Sequence, residues 1–129
     1  MPRILIVDDT DFDRNLLRNI LFSAGYEIAG MAGGGEEGIR MYREMMPDLA
    51  ILDLVMPDLN GIDTLRQIRS EYPSAQVMLC TSVGEEGMVE LAKRLGARGY
   101  VVKPYQAVHI LKAVERIVGP PGRSSGISW

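Results

Sequence analysis

Five short apolar segments alternate along the chain with five longer segments in which apolar residues recur at helical spacing. Residues 4–7 and 49–52 are apolar at every position, a pattern typical of strands that are buried on both faces of a sheet. Residues 27–32 alternate more and are less apolar, which is typical of an edge strand. Residues 76–80 and 98–102 complete the set of predicted strands.

A predicted helix follows each of these strands. Gly25 and Gly96 end the first and fourth helices, and Pro47 and Pro73 end the second and third, because the residue before a proline is pushed out of the α region. The predicted inner faces are Leu17, Ile20, Leu21 and Ala24; Ile39, Tyr42, Met45 and Met46; Ile62, Leu65 and Ile68; Met88, Leu91, Ala92 and Leu95; and Ala107, Leu111, Val114 and Val118.

This alternation favours an α/β domain with a doubly wound parallel sheet. Parallel neighbours need crossover connections, and right-handed crossovers place helices on both faces of the sheet. We expect residues 1–119 to form this one domain. Residues 120–129 are rich in Gly, Pro and Ser and show no periodicity, so they predict a flexible tail or the remnant of a linker.

Composition narrows the classes of function. A net charge of −3 over 129 residues argues against a nucleic-acid-binding surface, which needs clustered Lys and Arg. The lone cysteine, Cys80, lies in an apolar run, so we expect a buried thiol and a reducing compartment. There is no charged-then-apolar leader, and no apolar run approaches the ~20 residues of a membrane span. We therefore expect a cytoplasmic protein without membrane insertion.

Polar residues interrupt the pattern where the predicted strands end: Asp8, Asp9, Asp53, Thr81 and Lys103. The carboxyl ends of parallel strands meet at one edge of a sheet, which is where such folds bind ligands. If strands one and three are neighbours, three carboxylates crowd together, and like charges ~4 Å apart repel by about 4 kcal/mol per pair at an effective dielectric constant near 20. One lysine compensates only part of this charge. An oxygen-only pocket with no Cys or His nearby favours Mg²⁺ over Zn²⁺.

In such a pocket Asp53 is the candidate nucleophile toward phosphorus. The metal and Lys103 would screen the phosphoryl oxygens, and Thr81 would donate a hydrogen bond to one of them. The product would be an acyl phosphate on the Asp53 carboxylate.

These residues make the chain resemble the receiver domain of two-component response regulators, closest to the single-domain chemotaxis type, over about residues 3 to 118. The matching motifs are Asp8-Asp9, Asp53 with Met56-Pro57 and Gly61 after it, Thr81, and Tyr100-Val101-Val102-Lys103-Pro104. The resemblance implies a flavodoxin-like sheet in the order 2-1-3-4-5. It also implies a cis peptide between Lys103 and Pro104, which would orient the lysine.

The same resemblance implies the roles of the site residues. Asp53 accepts a phosphoryl group from the phosphohistidine of a sensor histidine kinase. Asp9 and Asp53 bind Mg²⁺ directly, the backbone carbonyl of Val55 completes the protein ligands, and Asp8 acts mainly through water. The protein is then a switch that catalyses its own phosphorylation and dephosphorylation, rather than an enzyme with a separate substrate.

The resemblance further implies how the switch works. Thr81 moves toward the phosphoryl group and Tyr100 rotates inward, which changes the face made by helix four, strand five and helix five for a downstream protein target or output domain. Val55 and Val83 flank the path of the hydrolytic water in this family. Because both are apolar here, we expect slower self-dephosphorylation than in relatives with polar groups there.

Three other interpretations stay open. A phosphatase of the haloacid dehalogenase kind needs a second acid two residues after the nucleophile, where this chain has Val55. A flavodoxin-like binder of flavin mononucleotide needs a Ser/Thr-rich loop after strand one, whereas Asp8 and Asp9 would repel its phosphate. A receiver-like interaction module excised from a larger regulator is the third, and the intact set of acids, threonine and lysine disfavours it.

Simpler roles account for the remaining polar positions. Thr10 or Asp11 is expected to cap the first helix, and Asp58 to serve as a capping or turn residue. His109 is expected on the solvated side of the fifth helix. The triplet Gly33-Gly34-Gly35 lacks the continuation of a phosphate-binding loop, so it predicts an ordinary loop.

Overall fold

In the computed structural model, strands and helices alternate along the whole domain, and the structure describes residues 1–82 and 84–122. The strands are β1 (Arg3–Val7), β2 (Glu27–Ala32), β3 (Leu49–Asp53), β4 (Val77–Thr81) and β5 (Gly99–Val102). The helices are α1 (Asp11–Ser23), α2 (Gly35–Met45), α3 (Gly61–Glu71), α4 (Glu86–Arg94) and α5 (Ala107–Val118). Within these described ranges, no helix combines the length and the apolar character needed to cross a membrane.

The strands form one parallel sheet in the order β2-β1-β3-β4-β5, which confirms the predicted fold. The register of the strands determines which residues lie side by side at the carboxyl edge of the sheet. Val7, the last residue of β1, pairs with Leu52 of β3, and Asp53 pairs with Cys80 of β4. Asp8 and Asp53 therefore leave adjacent strands side by side, and Thr81 follows on the next strand.

Two apolar clusters cover the opposite faces of the sheet. Leu5, Val7 and Leu52 pack against α2, α3 and α4, whereas Ile4, Ile6 and Ile51 pack against α1 and α5. The side chains of β1 and β3 alternate between these clusters, which is why residues 4–7 and 49–52 of these strands are apolar at every position. Burial on both faces leaves the carboxyl ends of the central strands as the place where polar groups can emerge.

Local capping explains where three helices begin. The Thr10 hydroxyl accepts a hydrogen bond from the Asp13 amide at 3.3 Å, and Asn60 accepts one from the Asp63 amide at 2.8 Å. Asp58 caps α2 across the chain by accepting from the amides of Gly35 and Glu36 at 3.1 Å each. The capping roles expected of Thr10 and Asp58 are thus confirmed.

Two details of the second helix differ from the prediction. Gly35 is the first residue of α2 rather than part of a loop, because Asp58 satisfies the amides at that end. Met46 follows the helix in a left-handed conformation with φ of 46° and is exposed, so it belongs to the C-cap rather than to the inner face.

The inner faces predicted for α4 and α5 were partly wrong. In α5 the buried residues are Ile110, Ala113 and Val114, whereas Ala107 is exposed. This helix is apolar over a wide stripe, so two helical phases fit its sequence equally well and only packing selects between them. In α4 Ala92 is buried but Met88 is exposed, because the first turn of this short helix extends past the core.

Candidate functional site

Three carboxylates meet where β1 and β3 leave the sheet. Oxygen atoms of Asp8, Asp9 and Asp53 all lie within 4.8 Å of one another. Asp8 is 1% exposed and Asp53 is 6% exposed, whereas Asp9 faces solvent. The acids that the sequence assigned to separate strand ends therefore form one cluster with an open side.

Lys103 enters this cluster from the loop after β5. Its Nζ lies 3.2 Å from Asp53 Oδ2 and 3.4 Å from Asp8 Oδ2. The peptide bond between Lys103 and Pro104 is cis, as the resemblance implied. The backbone amide of Lys103 also donates to the Thr81 carbonyl at 2.7 Å, which ties the lysine to the end of β4.

The crowding of these charges shifts the pKa values of both Asp53 and Lys103. The pKa of Asp53 is raised from 3.8 to about 7. Burial is the largest cause and the negative charge of Asp8 the next, whereas Lys103 acts in the opposite direction. Burial alone would lower the pKa of Lys103, but the hydrogen bond to Asp13 and the charges of Asp53 and Asp8 raise it above its ordinary value. Lys103 therefore stays protonated, and near pH 7 Asp53 is divided between its protonated and ionised forms.

Two residues of the cluster were missed by sequence reasoning. Asp13 Oδ2 lies 3.0 Å from Lys103 Nζ, and the Tyr105 hydroxyl lies 3.3 Å from Asp8 Oδ2. Asp13 lies in the first turn of α1, the helix that starts at the site, and this position shortly after Asp8-Asp9 was the available signal. For Tyr105 the signal was an aromatic with a polar tip directly after Lys103-Pro104.

Thr81 and Tyr100 meet at a neighbouring cavity rather than within the acid cluster. A cavity of about 270 Å³ between α4 and β5 is lined by both residues. Thr81 is buried at the end of β4, and Tyr100 is 49% exposed, so its ring points outward in this structure. There is thus space beside Thr81 that the tyrosine does not fill.

Val55 lies next to the cluster, on the loop that follows β3. Its amide is 3.4 Å from Asp53 Oδ1, and its side chain is 60% exposed. The polypeptide backbone at this position therefore passes close to the Asp53 carboxylate, while the side chain points to solvent. Val83, the other position expected near the path of water, lies outside the described residues.

The donor set suits a hard divalent cation. The ligand atoms that the cluster offers are carboxylate oxygens, with two of the acids buried and the third open to solvent. Mg²⁺ prefers such oxygens and keeps several waters, which the exposed side beside Asp9 can accommodate. The residues present therefore fit this ion.

The remaining expectations concern single residues. His109 is exposed, as predicted. Asp11 forms an ion pair with Arg14, so it is a surface residue of the first helical turn. Cys80 is a buried free thiol, and burial raises its pKa to about 12, so it stays protonated.

Comparison with known proteins agrees with this geometry. The family described as response regulator receiver domain matches residues 4–115. The chemotaxis protein CheY of Thermotoga maritima is 39% identical over 115 residues, covering 89% of this chain and 96% of its own. CheY of Listeria monocytogenes is 40% identical over 116 residues, covering 90% and 98%.

A solved structure has the same fold. The crystal structure of the CheX-CheY-BeF3-Mg²⁺ complex from Borrelia burgdorferi contains a chain that superposes with a TM-score of 0.86 at 32% identity. The match covers 89% of this chain and 87% of that one.

Proposed function

Because the chain belongs to the response regulator receiver domain family of two-component signalling, we propose that Asp53 is its phosphoacceptor and Mg²⁺ its cofactor. The family consists of signalling switches rather than enzymes that turn over a separate substrate. The comparisons do not favour the alternative of a receiver-like interaction module excised from a larger regulator. What is proposed beyond the family is the part played by each residue of this chain.

One observation supports the proposal most strongly. The Asp53 carboxylate lies at the end of a central strand, 6% exposed, with the Lys103 ammonium 3.2 Å away and two further acids beside it. A buried carboxylate is costly unless it is paired, so a structural aspartate would not be expected to share one cation with other buried or half-buried acids. The arrangement suits a group that reacts instead.

The chemistry follows from this placement. An Asp53 oxygen attacks the phosphorus of a phosphohistidine on a sensor histidine kinase, the phosphorus–nitrogen bond breaks, and its electron pair returns to the imidazole. Lys103 balances the charge on the phosphoryl oxygens, and Thr81 donates a hydrogen bond to one of them. Mg²⁺, when bound, would offset part of the negative charge on the phosphoryl group and the acids.

The metal ligands are assigned residue by residue. Asp9 and Asp53 would bind Mg²⁺ directly together with the backbone carbonyl of Val55, and Asp8 would act mainly through water. The exposed position of Asp9 and the closeness of the Val55 backbone to Asp53 support this assignment. The acids and Lys103 also explain self-catalysed phosphorylation and dephosphorylation, since the whole apparatus is held by one chain.

The switch would act through Thr81 and Tyr100. When Thr81 moves toward the phosphoryl group, Tyr100 turns from its outward position into the cavity that both residues line. This changes the face formed by α4, β5 and α5. Such a change is a shift between existing states, and moving from ~1% to ~99% active takes about 5.5 kcal/mol of preferential stabilisation.

The partners proposed are a sensor histidine kinase upstream and a protein target or output domain downstream. The Borrelia burgdorferi complex, in which a CheY is bound to CheX, supports a target that is a separate protein. We assign residues 1–119 to the receiver, since α5 ends at Val118, and residues 120–129 to a tail or linker. The buried free thiol supports the cytoplasm as the compartment.

Phosphotransfer from a purified chemotaxis-type histidine kinase tests this function. Kinase carrying labelled phosphohistidine should transfer the label to the wild type in the presence of Mg²⁺, and hydroxylamine should remove it, as it does from acyl phosphates. Asp53→Asn should accept no label. Label that survives hydroxylamine, or that reaches Asp53→Asn equally well, would contradict the assignment.

A further inference from the structure

The Asp8 carboxylate is held by donors on both of its oxygens. Oδ1 accepts a hydrogen bond from the Thr10 amide at 3.1 Å. Oδ2 accepts from the Tyr105 hydroxyl at 3.3 Å and lies 3.4 Å from Lys103 Nζ. The plane of this buried carboxylate is therefore fixed from two sides by two different loops.

Two groups contact Asp8 Oδ2, the Tyr105 hydroxyl and the Lys103 ammonium. Among the residues that the structure describes, the lysine is shared with other carboxylates and the hydroxyl is not. Lys103 also lies within 3.2 Å of Asp53 and 3.0 Å of Asp13, so its position depends on three acids at once. Tyr105 is 9% exposed, and its ring is packed in the apolar cluster beneath α1 and α5. Because the ring cannot easily move, the hydroxyl is held at a set point, where it donates to Asp8 and is also hydrogen-bonded to the Cys80 thiol.

We propose that Tyr105 is a positioning residue of the magnesium site, whose hydroxyl holds Asp8 in the orientation that the ion and its waters need. The inference deepens the proposed function and rests on it. Groups that hydrogen-bond to direct metal ligands orient them, and their loss typically weakens metal binding 10- to 100-fold. Asp8 would act on the ion mainly through water, so we expect an effect at the lower end of that range. Tyr105 itself does not touch the ion.

A purely structural explanation exists for the same contact. A buried phenol must satisfy its hydroxyl, and Asp8 is a convenient acceptor. Replacing tyrosine by phenylalanine would then alter stability but leave the affinity for the ion unchanged. The two explanations differ in the metal affinity, so this is the quantity to measure.

The experiment is calorimetric titration of the whole chain with Mg²⁺ alone at pH 8, for the wild type and Tyr105→Phe. We expect the dissociation constant to rise by roughly tenfold in Tyr105→Phe. Tyr26→Phe is the matched control, because the Tyr26 hydroxyl is also part of a buried residue and donates to the Gly119 carbonyl at 2.9 Å, remote from the acids. Its affinity for Mg²⁺ should equal that of the wild type.

A double-mutant cycle separates positioning from general damage. In an Asp8→Asn background, Tyr105→Phe should cause no further loss of Mg²⁺ affinity, since the hydroxyl acts through Asp8. Urea unfolding of each variant shows how much stability each hydroxyl contributes, independently of the ion.

The outcomes are distinct. Equal or tighter Mg²⁺ binding by Tyr105→Phe would overturn the positioning role while leaving the phosphoacceptor function intact. A tenfold loss that persists in the Asp8→Asn background would also overturn it. A wild type that binds no Mg²⁺ would overturn the proposed function and the inference together.

Discussion

Lys103 Nζ lies closer to Asp13 Oδ2, at 3.0 Å, than to Asp53 Oδ2, at 3.2 Å. Asp13 also accepts a hydrogen bond from the Thr10 hydroxyl at 3.1 Å, so it anchors the lysine from the first turn of α1. Lys103 is thus divided between Asp53, the proposed phosphoacceptor, and Asp13, which lies outside the cluster of three carboxylates. We expect Lys103 to move toward the phosphoryl group proposed on Asp53 while Asp13 keeps it at the site.

Removing this cation should destabilise the fold. In Lys103→Gln, Asp8, Asp13 and Asp53 face one another without compensation. We expect a loss of about 2–4 kcal/mol in the free energy of unfolding at pH 8 with a chelator present, since breaking a buried ion pair strands the opposite charge. Urea denaturation measures this loss. The exposed Lys112→Gln is the control, and a Lys103→Gln variant as stable as that control would refute the account of the cluster.

Asp53 should lower the free energy of unfolding as the pH rises. Its pKa in the folded state is about 7 against an ordinary 3.8, so between about pH 4 and 7 the folded protein binds more protons than the unfolded chain. Stability contributed by this residue therefore falls as the pH rises through that window. Asp53→Asn lacks the effect.

The comparison to make is between Asp53→Asn and the wild type from pH 5 to pH 8, in the presence of a chelator. The variant should become progressively more stable than the wild type, by about 2–4 kcal/mol at pH 8, since each unit of pKa shift corresponds to 1.36 kcal/mol. A difference that stays constant with pH, or that shrinks as the pH rises, would show that the Asp53 carboxylate is not destabilised by its surroundings.

Gly61 keeps the backbone close beneath Asp53. A Cβ added at this position would lie 2.5 Å from the Asp53 carbonyl oxygen and 2.8 Å from the Leu54 Cα, and neither backbone atom can move aside cheaply. We expect Gly61→Ala to lose about 1–3 kcal/mol of stability, as overpacked sites do.

Gly87→Ala is the control for this substitution. Gly87 lies in α4 with nothing within 4 Å of an added Cβ, so alanine there should be neutral or stabilising by up to about 1 kcal/mol. Thermal unfolding of the two variants beside the wild type measures both effects. If Gly61→Ala were as stable to heat as Gly87→Ala, the close contact between residue 61 and the backbone of Asp53 and Leu54 would be contradicted.

The lifetime of the phosphoryl group should depend on Val55 and Val83. Neither side chain can orient a water, and the exposed Val55 stands beside the Asp53 carboxylate. We therefore expect Val55→Asn and Val83→Glu to lose their phosphoryl group faster than the wild type. Following decay after removal of the phosphodonor measures this, and an unchanged or longer lifetime in both variants would exclude the explanation.

Periodicity was sufficient to predict a parallel sheet and to place the acids at one of its edges. Residues 4–7 of β1 and 49–52 of β3 are all apolar because both faces of the sheet are covered, so the polar residues Asp8 and Asp53 follow at the strand ends. The ends of parallel strands share an edge by geometry, so the strand pattern placed the acids on one edge, but their clustering also required strands one and three to be neighbours. The strand order and the cis peptide came from family resemblance instead, since no local pattern encodes them.

What the sequence did not reveal are contacts between segments that only the packed fold brings together. Asp13 and Lys103 are separated by ninety positions, and Tyr105 reaches Asp8 across the sheet edge. The buried face of α5 was misassigned for a related reason, because its wide apolar stripe permits two phases and the contact with the sheet chooses Ile110 and Val114. Packing, rather than propensity, decides such contacts.

The most direct test of the central claim is the intact mass of the protein after incubation with acetyl phosphate and Mg²⁺. The wild type should gain the mass of one phosphoryl group, the gain should disappear when a chelator removes the ion, and Asp53→Asn should stay unmodified. A wild type whose mass does not change while Mg²⁺ is present, or an Asp53→Asn variant that gains the same mass, would contradict the claim.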